Sequence, residues 1–244
     1  MTLLEQASLM LAERRRGALA TMMPDGDKAL FDDEGRLVSG TLPPDLISAV
    51  GEAVAGFVDR EVSGVVVVGE SEVFVEALVP PPRLLLFGAG PIGEAVCAVA
   101  AIAGFTVEVG DPRPAFAAPE RFPAAASVRC GWPDELLAGL AVDSATYVVS
   151  VLHEARFEDG LLPAVLRSPA RHIGALGSRR THRARVERLH DRGFTEEETA
   201  RIRGPIGLAI GATTPEEIAV AIVGEMIAVR RGRGEPGTTA RSHG

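Results

Sequence analysis

Hydrophobic and polar positions change rhythm along the chain. At the start, Leu3, Leu4, Ala7, Met10 and Leu11 fall on one stripe, which predicts an amphipathic helix over 1–16 with Gly17 as its stop. Short apolar runs at 18–23, 29–31 and 36–39 then read as strands, punctuated by Asp25-Gly26 and Glu34-Gly35. Helical spacing returns over 44–58, opened by Pro43 and Pro44. The runs 64–69 and 71–78 predict a hairpin.

Pro80-Pro81-Pro82 cannot continue a strand or a helix and marks a domain boundary. Beyond it the pattern becomes one of short apolar strands (83–87, 105–109, 127–129, 145–151 and 172–175) alternating with helical stretches, the first over 91–103. That alternation predicts a parallel sheet covered on both faces. Thr195 with Glu198 and Thr214 with Glu217 are capping boxes that open two late helices, the second with Pro215 at its first position. The predicted fold class is α/β. A small α+β N-terminal domain (1–79) precedes a Rossmann-like parallel-sheet domain (83–231), and a polar, Gly-rich tail (232–244) is expected to be disordered.

Composition narrows the function classes. A net charge of −8 disfavours a general nucleic-acid binder, whose phosphate contacts need clustered Lys and Arg. No uninterrupted apolar run reaches the roughly 18 residues of a membrane span. In the first 16 residues, Glu5 interrupts the apolar stretch and the basic residues follow it, the reverse of a secretory signal, so a cytoplasmic location is expected. Cys97 and Cys130 have neither zinc nor disulfide spacing and read as ordinary buried thiols, so no metal site is predicted.

The candidate chemistry sits where strands end. Leu84–Phe87 runs into Gly88-Ala89-Gly90-Pro91-Ile92-Gly93, a GxGxxG between a strand and a helix. Gly88 suits the tight turn, Gly90 the close approach of a phosphate, and Gly93 the packing of helix on sheet. Asp111 follows 18 residues beyond Gly93, where a carboxylate can accept from ribose hydroxyls. Arg113 can hold a phosphate in a two-pronged contact or form a solvated turn. His153 and Glu154, with Asp159 beyond them, can hold a ligand, move protons or cap a helix. Gly177, Ser178 and Arg179 can form a second anion cradle at the start of a basic helix. The later His182, Arg183, Arg185 and Arg188 read as its solvated face. No complete catalytic set is legible, so the chain reads as a cofactor binder rather than a turnover enzyme.

These segments together resemble the XdhC/CoxI family of molybdenum-enzyme accessory proteins. The resemblance covers about residues 72–230. It rests on 81–90, Asp111-Pro112-Arg113-Pro114, His153 with Asp159, the run His172–Arg179, Pro205-Ile206-Gly207-Leu208 through Ala212, and Thr214–Ala219. It implies binding of molybdenum cofactor (molybdopterin) and support of its sulfuration. It also implies insertion of the cofactor into a xanthine dehydrogenase-type molybdenum hydroxylase, with a cysteine desulfurase as a second partner and a homodimer as the assembly. The chain departs from the family pattern at Pro91 (His in the family), Glu154 (Asp) and Ala209 (Asp). Its first domain is shortened, with Pro24–Lys28 replacing a Gly-Ser-x-Pro-Arg stretch. The glycine loop and Asp111 also fit NAD(P), which keeps an oxidoreductase open as the alternative. The altered first domain keeps open a scaffolding paralogue.

Overall fold

Two sheets of opposite character organise the chain. The computed structural model describes residues 1–24 and 26–233, so Asp25 of the first turn and the tail residues 234–244 lie outside the described residues. The chain divides into two compact units, Met1–Pro80 with Arg230–Arg233, and Pro81–Val229.

The first unit opens with helix α1 (Leu3–Ala12), closed at its start by a Thr2–Glu5 capping box. The helix contains the whole apolar stripe but ends at Ala12, short of the expected residue 16, and Arg14 rather than Gly17 takes the left-handed conformation, with φ 56°. Gly17 instead begins strand β1 (Gly17–Met23), where an added Cβ would collide with the Phe31 carbonyl oxygen. Strands β2 (Lys28–Asp32) and β3 (Leu37–Gly40), helix α2 (Pro44–Arg60), and strands β4 (Gly64–Val68) and β5 (Ser71–Leu78) follow. The sheet is antiparallel in the order β3-β2-β1-β5-β4. Leu46, Val50, Val54 and Val58 of α2 pack on its Ala18, Phe31, Val73 and Val75.

The second unit contains strands β6 (Arg83–Phe87), β7 (Thr106–Asp111), β8 (Ser127–Cys130), β9 (Thr146–Ser150), β10 (His172–Ala175) and β11 (Ile202–Arg203). Its helices are α3 (Pro91–Ile102), α4 (Pro133–Ala138), α5 (Ala155–Leu166), α6 (Arg179–Asp191), α7 (Glu196–Thr199) and α8 (Pro215–Arg230). The strands form one parallel sheet in the order β11-β10-β9-β6-β7-β8. Strand order therefore reverses beside β6, the doubly wound arrangement whose crevice lies beyond the carboxyl ends of β6 and β9.

Strand β6 shows why its sequence is an unbroken apolar run. Leu84 and Leu86 pack with Val96 and Cys97 of α3 and Ile222 and Met226 of α8. Leu85 and Phe87 pack on the other face with Leu161 and Val165 of α5. Each of these leucines contributes roughly 1.5–3 kcal/mol by leaving water. The two-residue β11 was not legible, because two residues carry no period. Cys97 is buried as expected, but Cys130 is exposed, because it ends the outermost strand β8, where its thiol donates to the Pro112 carbonyl at 3.9 Å.

Arg185 also departs from the expectation of a solvated basic face, being only 1% exposed. Its Nε donates to Glu158 Oε2 at 2.9 Å, and its Nη2 donates to Glu158 Oε1 at 3.0 Å and to the Leu176 carbonyl at 2.8 Å. The Ser150 hydroxyl donates to Glu158 Oε1 at 3.1 Å. This buried pair therefore ties α5 and α6 to the carboxyl end of β9 and to the loop after β10. Removing one partner leaves the other as an uncompensated buried charge. Glu158→Ala is expected to cost about 3–5 kcal/mol in denaturant unfolding, and Glu158→Ala with Arg185→Met to recover much of it. A cost under about 1 kcal/mol for the single change, the range of surface pairs, would show that the pair does not hold these elements.

Candidate functional site

The glycine loop is built by three glycines with different causes. Gly88 has φ 115°, and a side chain there would press on Val151. A Cβ on Gly93 would collide with the Gly88 carbonyl oxygen, so the start of α3 can sit on the loop only without one. Gly90 is different. It is extended (φ −80°, ψ −174°), and a Cβ would meet nothing within 4 Å. The fold does not demand glycine at this position, so its bareness leaves the space over the loop open. The N–H groups of Ile92 and Gly93 lie in the first turn of α3, where amides have no intrahelical acceptor, and Pro91 contributes none.

Beneath the loop, Asp111 is fully buried. Its Oδ2 accepts from the Ala89 N–H at 2.8 Å and from Arg113 Nη2 at 2.9 Å. Its Oδ1 accepts from the Arg113 N–H and Nε, both at 2.9 Å. Burial pushes the carboxyl up, but the hydrogen bonds and charge of Arg113 and the Ala89 amide outweigh it and hold Asp111 below the usual carboxylate range. The guanidinium of Arg113 also lies 4.0 Å from the centroid of the Phe116 ring. The side chain is thereby fixed from two sides while still partly exposed.

Over this base lies a cleft of about 250 Å³ lined by Gly90, Ile92, Gly93, Arg113, Val151, His153 and Pro215, among others. The structure thus brings together Gly90, Gly93, Arg113 and His153, with Gly88 and Asp111 forming the support. Glu154 is not among the lining residues. It pairs with Arg156 at 2.8 Å, and its charge adds to the Asp111 hydrogen bond and charge that raise the pKa of Arg113. Asp159 turns away to Arg188 at 3.1 Å. Gly177, Ser178 and Arg179 lie after β10, two strands from β6 along the same carboxyl edge. Gly177 has φ 140°, Ser178 caps α6 by accepting from the Thr181 N–H at 3.1 Å, and Arg179 and Arg180 are exposed in a first turn that holds no acid. Two cations at the positive end of a helix repel its amides, which makes this turn receptive to an anion. Sequence reasoning missed Ile92, Val151 and Pro215 as lining. Pro215 carried only a capping signal, and nothing local says that the start of α8 borders the loop.

His172, within the segment that carried the resemblance, lies at the start of β10 rather than at the cleft. Its Nε2 is 3.5 Å from Glu225 Oε1, and burial together with the Arg203 charge pushes its pKa down to about 3. Glu225 Oε2 accepts from the Gly207 N–H at 3.0 Å, so this group braces the 204–211 loop.

Strand order, glycine loop and pinned arginine define a Rossmann-type domain with an anion-receptive crevice at its switch point. The chain belongs to the XdhC family, whose model, described as the XdhC Rossmann domain, matches residues 84–226. It is 31% identical over 161 residues to a Bacillus subtilis (strain 168) protein named as a probable xanthine dehydrogenase subunit, covering 66% of this chain and 47% of that one. It is 30% identical over 151 residues to the Escherichia coli (strain K12) molybdenum cofactor insertion chaperone PaoD, covering 62% and 41%. A solved Bacillus halodurans structure named as a xanthine dehydrogenase shares the fold, with TM-score 0.68 at 23% identity over 96% of this chain and 66% of that chain. The chain thus spans less than half of these two curated relatives. Among the described residues, no helix is long and apolar enough to cross a membrane.

The Asp111–Arg113 contact sets an acid-side expectation. A carboxyl held low in the folded state stabilises fully above its unfolded pKa and loses that contribution as pH falls through the lower folded value. In Arg113→Met only burial and the remaining amides act on Asp111, so its pKa rises. Thermal melting between pH 3 and 7 should then show the variant losing stability relative to the parent as pH rises through that range. Parallel curves for the two proteins would exclude Arg113 as the group that keeps Asp111 ionised.

Proposed function

We propose that the chain binds the phosphate-bearing end of molybdenum cofactor at the Gly88–Gly93 loop and supports its sulfuration and insertion into a xanthine dehydrogenase-type molybdenum hydroxylase. The observation that carries this reading is Gly90, a glycine that the fold does not require, facing open space between first-turn amides and a pinned Arg113. Donors of this kind fit a phosphate. The group supplies a phosphate and a water-labile pterin. Gly88, Gly90 and Gly93 would hold the phosphate, with Asp111 positioning the Ala89 amide and Arg113. His153 would border the ligand, with Glu154 tuning Arg113. Gly177, Ser178 and Arg179 would supply a second anion contact. The relative named as a molybdenum cofactor insertion chaperone supports the role, and the one named for xanthine dehydrogenase supports the client class. A cysteine desulfurase is the matching sulfur source. NAD(P) is the weaker ligand, because both oxygens of Asp111 already accept two hydrogen bonds each within the protein.

The test is to purify the chain from a molybdopterin-producing host, oxidise the denatured extract and quantify fluorescent pterin, while titrating the same preparation with NAD and NADP. Pterin near stoichiometric is expected, with no dinucleotide binding. Gly90→Asp should keep its circular dichroism and melting temperature but lose at least tenfold in pterin. Full pterin content in a folded Gly90→Asp protein would remove the loop from the site, and dinucleotide binding without pterin would favour an oxidoreductase.

A further inference from the structure

Trp132, the one tryptophan of the chain, is 45% exposed. Among the described residues it is the only large apolar side chain left exposed between Ile102 and Leu208. The exposed residues next to it along the chain, Asp134 and Glu135, are charged. A surface that docks another protein presents a contiguous apolar patch. An isolated aromatic ring among charges instead suits a small planar ligand, which needs one π-face.

The turn that carries Trp132 is tied to the glycine-loop site. The Gly131 N–H donates to the Asp111 carbonyl at 3.1 Å, and the Trp132 carbonyl accepts from the Leu136 N–H at 2.9 Å, while buried Pro133 opens α4. Asp111 therefore holds the Ala89 amide and Arg113 through its side chain and the tryptophan turn through its main chain. The Trp132 ring lies 5.3 Å, centroid to centroid, from that of Phe157 in α5. Strands β8 and β9 are separated in the sheet by β7 and β6. The contact thus joins the segments after β8 and β9 beside the carboxyl ends of the two strands that carry the glycine loop and Asp111. Trp132 stands on the α4–α5 side of this edge, whereas Gly93 and Pro215 line the cleft from the α3–α8 side. Two strand spacings, roughly 10 Å, separate β6 from β8. A phosphate and a ring joined by a sugar-sized linker span such a gap.

We propose that Trp132 is the stacking platform for a fused heterocyclic ring carried by the phosphate-bearing ligand of the glycine loop. The inference rests on the phosphate reading of that loop and adds where the other end of the ligand lies. The platform is prepared in advance, because its backbone is pinned on both sides and its ring is packed on Phe157, so little side-chain freedom is lost when a ring stacks.

The experiment is isothermal titration calorimetry on the full chain and on Trp132→Leu, Trp132→Phe and Gly90→Asp, with four probes: inorganic phosphate, neopterin, neopterin monophosphate and GMP. At least one phosphorylated ring should bind the unsubstituted chain about fivefold or more tighter than inorganic phosphate, the lower end of what one stacked ring contributes. Which of the two does so identifies the ring as a pterin or a purine. Trp132→Leu should abolish that advantage, Trp132→Phe should keep most of it, and inorganic phosphate should bind equally to all three. An unchanged phosphate affinity in Trp132→Leu separates stacking from a merely structural role. Gly90→Asp should lose phosphate while leaving any binding of neopterin sensitive to Trp132. Phosphorylated rings that bind Trp132→Leu as tightly as the unsubstituted chain, or that never exceed inorganic phosphate, would overturn the platform. Absence of phosphate binding to the unsubstituted chain would overturn the loop reading alone, with neopterin still deciding the platform: binding lost in Trp132→Leu upholds it, and no such dependence removes it.

Discussion

The carboxylate of Asp111 is the constraint on which the crevice depends. It ends β7 in a fully buried position, and its two oxygens serve three groups at once: an amide of the glycine loop, the backbone N–H of Arg113 and the Arg113 guanidinium. A buried charge without such partners would be too costly to keep. Because the partners are the loop and the arginine themselves, satisfying the charge and shaping the site are the same event. Loop position, arginine orientation and carboxylate ionisation rise or fall together.

The Glu158–Arg185 pair has a comparable role further along the sheet. It joins two helices to the end of β9 and to the Leu176 carbonyl, directly under the turn that starts α6. The exposed Arg179 and Arg180 thus project from a turn whose base is held rigidly. In water a bidentate ion pair would contribute little, but buried it specifies geometry, because any slippage exposes a desolvated charge.

The sequence revealed most where burial was two-sided or backbone geometry was forced. Strand β6 was legible to the residue because both of its faces are core, and β5 was legible as the second half of a hairpin with β4. The GxGxxG loop could be read from its place between strand and helix. Charged residues were the opposite case. Arg185 looked like a member of a solvated basic run, since its partner lies on another helix and no local pattern points to it. Asp111 looked like a ribose acceptor, and only the fold gathers four protein donors around it. Gly17 looked like a helix stop because glycine signals a turn and a close backbone approach with the same letter.

The three loop glycines answer to different masters, and that has a consequence for descent. Gly88 and Gly93 are held by sterics within the protein, whatever the crevice is used for. Gly90 is held by nothing in the protein itself. In a lineage that stopped holding an anion there, folding would go on purging changes at the outer two positions while the middle one drifted freely. The middle glycine is therefore the position of the three that sterics within the protein leave free to change.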